Sequence, residues 1–380
     1  MMINTPKIVS KPSDYDLPHP TFREHQLESI EFCSGVEKGS VAIIEAPTGS
    51  GKTSFSKATS RDRRSVALCK TKNLQEANYE GVYGATPLYG RANYRCAHPS
   101  ALNGTTCAEC MHADKGMSRC KHSNKCPYLL ARSAALTAPY TVLNYAYWMA
   151  SVYYRSKSEQ AILFLDECHE LDEIVCGWTG CTVPEWQRTK WNLPSFPEIE
   201  HQRSNELLEL APPTGLALKW LEKTLEHMRS VYKDLRDDVN LGMGKASKAS
   251  AELRKCQNFG LKLRATVDAI RHNSEDWYVR SGSQALRKNG RLYPGFQARP
   301  LTARHDFGRF FLSEDYATVA MSATVGDPEQ FTSELGIRDY TFRAVPSRFP
   351  PEARPVYLLD VPSMGGKHKP DWPQRAEKQA

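Results

Sequence analysis

Four short apolar runs each end directly before residues that carry reactive groups. They are residues 41–45 (VAIIE), 65–69 (SVALC), 161–165 (AILFL) and 317–321 (ATVAM). Runs of this length, separated by segments long enough for helices, are typical of parallel strands buried on both faces. In such sheets the functional groups gather beyond the carboxyl ends of the strands. The sequence therefore predicts an α/β fold on a parallel sheet, with a site at one edge.

The first run leads into a glycine-rich turn that predicts a phosphate-binding loop. The candidate residues are Ala46, Pro47, Thr48, Gly49, Ser50, Gly51, Lys52 and Thr53. Glycines let backbone N–H groups turn toward phosphate oxygens, while Lys52 would reach the β- and γ-phosphates and Thr53 would ligate Mg²⁺. Ala46 replaces the first glycine of the usual pattern, which the same loop accepts if its φ is negative. A chance turn is the alternative, and the preceding strand argues against it.

The third run delivers two adjacent carboxylates, Asp166 and Glu167. Asp166 would hold Mg²⁺, and Glu167 would orient and deprotonate an attacking water. An acidic pair after a strand is weak by itself, because helix N-termini favour acids. Combined with the phosphate loop it predicts ATP hydrolysis. His169 is either a helix-start residue or a relay to the fourth run, which ends before Ser322, Ala323 and Thr324.

Five of the eleven cysteines fall within residues 96–126: Cys96, Cys107, Cys110, Cys120 and Cys126. Thiolates in fours bind zinc or an iron–sulfur cluster. Spacing alone slightly favours zinc, because Cys107 and Cys110 form a C-x2-C pair and histidines lie nearby. The N-terminus has no apolar signal region, so we expect a reducing compartment, cytoplasmic or nucleoid or nuclear. The five remaining cysteines outside the acidic motif, Cys33, Cys69, Cys176, Cys181 and Cys256, are expected to be buried.

The net charge of +7 permits a nucleic-acid partner without requiring one. Basic residues concentrate in residues 90–132, around the cysteines. The longest apolar stretch, residues 141–154, is too short for a bilayer, so no membrane partner is expected.

Residues 180–300 interrupt the alternation of short apolar strands and helical segments. Two sets of apolar residues with helical spacing, at 221–239 and 253–270, predict an inserted antiparallel helical hairpin.

In this order the motifs resemble those of superfamily 2 helicases: the loop at residues 46–53, DECH at 166–169 and Ser-Ala-Thr at 322–324. The cysteine-rich insertion between the first two is similar to that of the XPD/DinG-like DNA helicases. Residues 90–96 look like the lead-in to that family's first cluster cysteine, and Cys126-Pro127-Tyr128 looks like its end. Residues 22–26 resemble the Q motif, which recognises adenine.

The resemblance implies a RecA-like P-loop fold and an ATP-dependent DNA helicase of 5′→3′ polarity, with ATP, Mg²⁺ and a [4Fe–4S] cluster as cofactors and DNA repair as its process. It reverses the preference for zinc. The implied cluster ligands are Cys96, Cys110, Cys120 and Cys126, with Cys107 as the alternative to Cys110. Gln26 would contact ATP, and His169, Ser322 and Thr324 would couple the motor. Thr71, Lys72, Arg91 and Tyr94 would contact single-stranded or forked DNA.

Mapped onto the chain, the family's domains divide it into six parts. They are a RecA-like domain in three pieces (1–89, 133–180 and 301–345), an iron–sulfur insertion (90–132), an Arch-like helical insertion (181–300) and the start of a truncated second RecA domain (346–380). The resemblance implies that a second domain carries arginine fingers. We therefore expect a fragment, split gene or degenerate copy, slow in hydrolysis unless a separate polypeptide supplies that domain. The alternatives are a non-catalytic ATP- and DNA-binding module and a zinc-binding RNA helicase fragment.

Overall fold

A computed structural model describes residues 11–99, 106–109, 120–151, 161–197, 199, 214–240, 246–288 and 291–347. The chain divides into two units, Met1–Pro346 and Ser347–Ala380. The elements below all belong to the first unit. The predicted start of a second RecA domain lies, beyond Ser347, outside the described residues.

Ten strands occur in the described part of the chain: β1 Val41–Glu45, β2 Ser65–Cys69, β3 Thr86–Pro87, β4 Tyr140–Asn144, β5 Ile162–Asp166, β6 Cys181–Pro184, β7 Trp277–Lys288, β8 Arg291–Pro300, β9 Ala317–Ser322 and β10 Thr341–Ala344. Seven of them form one sheet in the order β10-β1-β9-β5-β2-β4-β3, and every pair in it is parallel. The predicted α/β fold is confirmed, with the four predicted strands placed to within one residue.

The helices of the described residues are α1 Gln26–Ser34, α2 Lys52–Thr59, α3 Lys72–Leu74, α4 Pro127–Thr137, α5 Tyr145–Ala150, α6 Leu171–Thr179, α7 Glu185–Lys190, α8 Thr214–Asn240, α9 Ala246–His272, α10 Phe307–Phe311 and α11 Pro328–Leu335. A π-helical segment, Gln75–Glu80, continues α3, and 3₁₀ turns occur at Cys107–Glu109 and Cys168–Glu170. None of these helices combines the length and the apolar character needed to cross a membrane.

Alternate residues of the parallel strands enter two separate cores, one on each face of the sheet. Ile43, Leu68 and Leu165 pack on one side with Trp148 and Phe311. The adjacent residues Ile44 and Phe164 pack on the other side, together with Met321, Ile30 and Phe55. Successive side chains of a strand point to opposite faces, so covering both faces requires an unbroken apolar run. This is why the strands were recognisable in the sequence.

The insertion between α6 and α10 has its own core, which includes Trp220, Leu263 and Phe296. The predicted helical hairpin corresponds to α8 and α9, and Arg271 near the end of α9 pairs with Glu222 near the start of α8 at 2.6 Å. The structure adds an antiparallel sheet in the order β6-β8-β7, which the sequence analysis did not predict. Gly282, Gly295 and several charged residues interrupt the alternation that would have indicated it.

Candidate functional site

The predicted phosphate loop leaves the end of β1 and enters α2. Ala46 N donates to Ser322 O at 2.8 Å, so the loop begins in register with β9. Gly49 and Gly51 have φ values of +86° and +97°, a conformation that side chains disfavour. A Cβ on Gly51 would also lie 2.5 Å from Gln26 Nε2. Ala46 is not among the described residues with positive φ, so the condition for an alanine at that position is met.

Arg23, which precedes α1, and Gln26, the first residue of α1, hydrogen-bond to this loop and to the helix that follows it. Gln26 is buried, and its Nε2 donates to Ser54 Oγ at 2.6 Å while its Oε1 accepts from Arg23 N at 2.8 Å. The Arg23 guanidinium donates to Gly49 O. Gln26 thus holds the loop, and its contact with adenine stays a prediction. The sequence analysis missed Arg23 as a loop anchor, although the resemblance had included it in the Q motif.

The lysine of the loop is held inside it. Lys52 Nζ donates to Ala46 O at 3.0 Å, and Lys52 opens α2. A phosphate oxygen bound in the loop would take over this hydrogen bond. The contact of Lys52 with the β- and γ-phosphates stays a prediction.

Asp166 ends β5 with a buried carboxylate that two donors orient. Tyr79 donates its hydroxyl to Asp166 Oδ2 at 2.7 Å, and Glu167 N donates to Oδ1 at 3.1 Å. Burial raises the pKa of Asp166 to about 6, while the Tyr79 hydrogen bond and the charge of Lys52 act in the opposite direction. The sequence analysis missed Tyr79, because the two residues are 87 positions apart and no local pattern relates them.

Glu167 and His169 turn toward β9. Glu167 has φ +52°, a conformation that costs free energy for a residue with a side chain. His169 Nδ1 lies 2.8 Å from Ser322 Oγ and 3.5 Å from Glu167 Oε2, and Thr324 N donates to Ser322 Oγ at 3.3 Å. The structure brings together all the residues proposed for coupling, and their role in coupling stays a prediction.

Glu45, which the sequence analysis did not select, links the two loops that leave β1 and β9. Its Oε2 accepts hydrogen bonds from Val325 N at 2.6 Å and Gly326 N at 3.3 Å. A charged residue closing an otherwise apolar strand was a usable signal in the sequence. The carboxylate holds the segment after Ser-Ala-Thr against the start of the phosphate loop.

The residues predicted to contact DNA differ in availability. Thr71 and Lys72 are exposed beyond β2; Thr71 Oγ1 accepts from Leu74 N at 3.3 Å, and Lys72 Nζ pairs with Glu76 Oε1 at 3.3 Å. Arg91 lies in a 3₁₀ turn. Tyr94 is packed: its ring lies 5.7 Å from that of Tyr128, and its hydroxyl accepts from Tyr89 N. The structure thus leaves Thr71 and Lys72 freer than Tyr94 to meet a ligand.

Four of the five clustered cysteines line one small cavity: Cys96, Cys107, Cys120 and Cys126, together with His98 and His122. Cys107 Sγ lies 3.8 Å from Cys126 Sγ, and burial raises the pKa of the Cys107 thiol to about 12. The alternative ligand, Cys107, lines the cavity, and Cys110 lies outside the described residues. No three His, Cys, Asp or Glu side chains within the described ranges are grouped closely enough to hold a metal ion. The five cysteines expected to be core residues are all buried: Cys33, Cys69, Cys176, Cys181 and Cys256.

Residues 53–187 match the DEAD_2 family model. An XPD helicase structure is similar with a TM-score of 0.50 at 15% identity, over 84% of this chain and 61% of that one. XPD in its apo form gives 0.45 at 13% identity, over 85% and 57%. A truncated XPD gives 0.46 at 16% identity, over 84% and 99%. No curated protein sequence matches the chain.

The chain spans about three fifths of the XPD helicase that it resembles. At 15% identity this likeness is one of fold. The DEAD_2 match is one of sequence, and it begins within the phosphate loop, at Thr53, and includes the acidic motif. These two findings confirm the resemblance to the XPD-like superfamily 2 helicases: residues 53–187 match the DEAD_2 model, and the fold is similar to that of the XPD helicase structure.

Proposed function

We propose that this chain is the nucleotide-binding motor of an ATP-dependent DNA helicase, which couples ATP hydrolysis to movement along single-stranded DNA in the 5′→3′ direction. One observation carries the proposal. The phosphate loop, Asp166 and the His169–Ser322 contact lie at the carboxyl ends of β1, β5 and β9, which are consecutive neighbours in the sheet. That arrangement joins the phosphate-binding and water-activating groups of an ATPase.

Each residue has a part in the proposed reaction. Lys52 and the loop N–H groups bind the β- and γ-phosphates, and Glu167 accepts the proton of the attacking water. Thr53 and Asp166 are the residues that would hold Mg²⁺, whose charge would offset that of the phosphate oxygens when bound. His169 transmits changes at this site to β9 through Ser322, whose Oγ lies 2.8 Å from His169 Nδ1.

The exposed start of the segment after β2 supports binding of single-stranded DNA. Lys70, Thr71 and Lys72 are exposed there, beyond the same edge of the sheet. Basic side chains of this kind bind the phosphate backbone without regard to base sequence. We propose that Arg91 extends this surface toward the cysteine-lined cavity.

We also propose a [4Fe–4S] cluster held by Cys96, Cys107, Cys120 and Cys126. Four thiols line one cavity, which suits such a group in number and chemistry, although the described side chains are not grouped closely enough to hold a metal ion in this structure. When bound, the cluster would tie together three separate stretches of the insertion. We propose Cys107 as the fourth ligand in place of Cys110, because Cys107 lines the cavity together with the other three cysteines.

Nucleotide binding tests the first proposal. We expect Lys52→Ala to weaken the affinity for Mg²⁺-ATP by at least tenfold, because a charge-assisted phosphate contact contributes roughly 1.5–3 kcal/mol. Lys57→Ala, on the same helix and paired with Asp16, is the matched control and should bind as the wild type does. ATP turnover with and without single-stranded DNA then distinguishes a motor from a passive binding module. Unchanged affinity in Lys52→Ala would contradict the site.

Anaerobic purification tests the cluster. We expect a brown protein with visible absorbance and about four irons per chain. Cys107→Ser should lose the colour, and Cys110→Ser should keep it. A colourless protein that contains one zinc ion per chain would contradict the cluster and favour the zinc alternative.

A further inference from the structure

The segment that follows β2 runs without a break from the candidate DNA-binding residues to the carboxylate of Asp166. It begins at exposed Lys70, Thr71 and Lys72, passes through α3 and ends in the π-helical turn that carries Tyr79. We propose that this segment, residues 70–80, couples nucleic-acid binding to the magnesium ligand, with Tyr79 as the positioning residue. The inference rests on the proposed function, because it assigns the regulation of that site.

Tyr79 makes the inner contact. Its side chain is fully buried, and its hydroxyl donates to Asp166 Oδ2 at 2.7 Å. The second carboxylate oxygen accepts from Glu167 N, so two donors set the orientation of the group and leave its remaining lone pairs for a cation. The π-helical turn that carries Tyr79 is a second feature of this segment, because such turns are rare and occur frequently at functional sites.

Two ion pairs form the outer contact. Lys70 Nζ lies 2.7 Å from Glu170 Oε1, and Lys72 Nζ lies 3.3 Å from Glu76 Oε1. Glu170 belongs to the turn directly after Asp166 and Glu167. Both lysines are about half exposed, so a backbone phosphate can take either one from its carboxylate. In this structure the Lys70–Glu170 pair is closed, and under the proposal DNA opens it.

Gln75 fixes the middle of the segment to the sheet. It is buried, and its Nε2 donates to Val142 O at 2.9 Å and to Leu88 O at 3.2 Å. Because Gln75 is fixed, a displacement of Lys70 tilts the π-helical turn about Gln75. This tilt moves the Tyr79 hydroxyl. Tyr79 then changes how Asp166 presents its oxygens to Mg²⁺. If Tyr79 served only to satisfy the buried carboxylate, removing its hydroxyl would change the stability of the protein but not its response to DNA.

The test is equilibrium binding of a fluorescent, non-hydrolysable ATP analogue to the full chain, with and without a single-stranded oligonucleotide, in Mg²⁺ or in EDTA. We expect DNA to raise the Mg²⁺-nucleotide affinity of the wild type by about fivefold or more, a typical coupling factor. In Tyr79→Phe this response should fall below about twofold. In EDTA it should be absent from both proteins, because the path ends at the carboxylate that holds Mg²⁺.

Tyr145→Phe is the matched control. The Tyr145 hydroxyl is also buried and donates at 2.7 Å to Asp166, but to the backbone oxygen. It should keep the wild-type response to DNA. Glu170→Gln is a second variant that misfolding cannot imitate. It opens the Lys70–Glu170 pair, so its affinity without DNA should lie within about twofold of the DNA-bound wild type.

Three results would overturn the inference while leaving the proposed function in place. They are a wild type that binds both ligands without any mutual effect, a Tyr79→Phe protein with the full DNA response, and equal loss of the response in Tyr79→Phe and Tyr145→Phe. A wild type that does not bind the Mg²⁺-nucleotide at all would instead contradict the proposed function itself.

Discussion

The side chain of Asp166 is buried in an environment that disfavours its negative charge. Its side chain is 7% exposed, and burial raises its pKa from 3.8 to about 6. The folded, ligand-free protein must therefore keep a carboxylate ionised near neutral pH at a cost in stability. A cation bound there would remove the cost. Such local strain is common where a site is built for a ligand and not for the empty fold.

We expect Asp166→Asn to stabilise the protein in EDTA and without nucleotide, by roughly 2–3 kcal/mol at pH 7. The amide can keep both hydrogen bonds, because the Tyr79 hydroxyl can also accept. Between pH 6 and pH 4 the folded wild type binds more protons at this site than the unfolded chain, so its relative stability rises as the pH falls. The difference between the two proteins, measured by chemical denaturation, should shrink across this window. A destabilised Asp166→Asn at pH 7 would contradict the account.

Helix α6 is the element through which the insertion joins the motor sheet. It follows the acidic motif directly, and Lys262 of α9 donates to the carbonyl oxygens of Gly177 and Trp178 in its last turn. A cation at a helix C-terminus meets both the unpaired carbonyls and the negative end of the helix dipole. Gly180 then leads into β6, against the backbone of Ala298 and Arg299.

Two glycines three positions apart allow a matched test of this junction. A Cβ on Gly180 would lie 2.9 Å from both Ala298 O and Cys176 O, whereas a Cβ on Gly177 would meet nothing within 4 Å. We expect Gly180→Ala to lower the free energy of unfolding by about 1–3 kcal/mol through this overlap. Gly177→Ala should raise it by up to about 1 kcal/mol, because alanine favours the helix. Equal effects of the two changes would show that the close backbone contact at Gly180 does not contribute to the free energy of unfolding.

At the scale of the whole molecule, the motor sheet is assembled from chain on both sides of the insertion. β9, which follows residues 180–300, lies between β1 and β5, which precede them. The insertion begins and ends at adjacent points, since Cys181 pairs with Ala298 in neighbouring antiparallel strands. The sheet therefore does not need the insertion to bring its strands together.

We expect a chain in which residues 181–298 are replaced by a short Gly/Ser linker to keep its parallel sheet. Paired antiparallel residues lie about 5 Å apart, so a few residues can close the gap. Mg²⁺-nucleotide affinity should stay within about threefold of the full chain, while the melting temperature falls because surfaces covered by α9 become exposed. Loss of nucleotide binding in a protein that still gives a cooperative unfolding transition would show that the insertion shapes the site.

The sequence by itself determined the parts of this protein whose signal is local. The strands β1, β2, β5 and β9 are apolar runs because both faces of the sheet are covered, and the phosphate loop needs glycine at the positions where φ is positive. Asp166 and Ser322 end their strands and Glu167 comes directly after β5, so their place at one edge followed from the parallel arrangement. The helical hairpin could be predicted because the apolar residues of α8 and α9 keep a helical spacing over many turns.

Only the tertiary structure decided which of these parts meet. Strand order placed β9 between β1 and β5, and so set Ser322 against His169 and Glu45 against Val325. Folding brought Cys107 to the other cavity cysteines and Tyr79 to Asp166 across 87 residues. Contacts of this kind leave no periodic trace, because any of several polar residues could occupy either side. They depend on the packing of distant segments, which a single sequence does not specify by pattern.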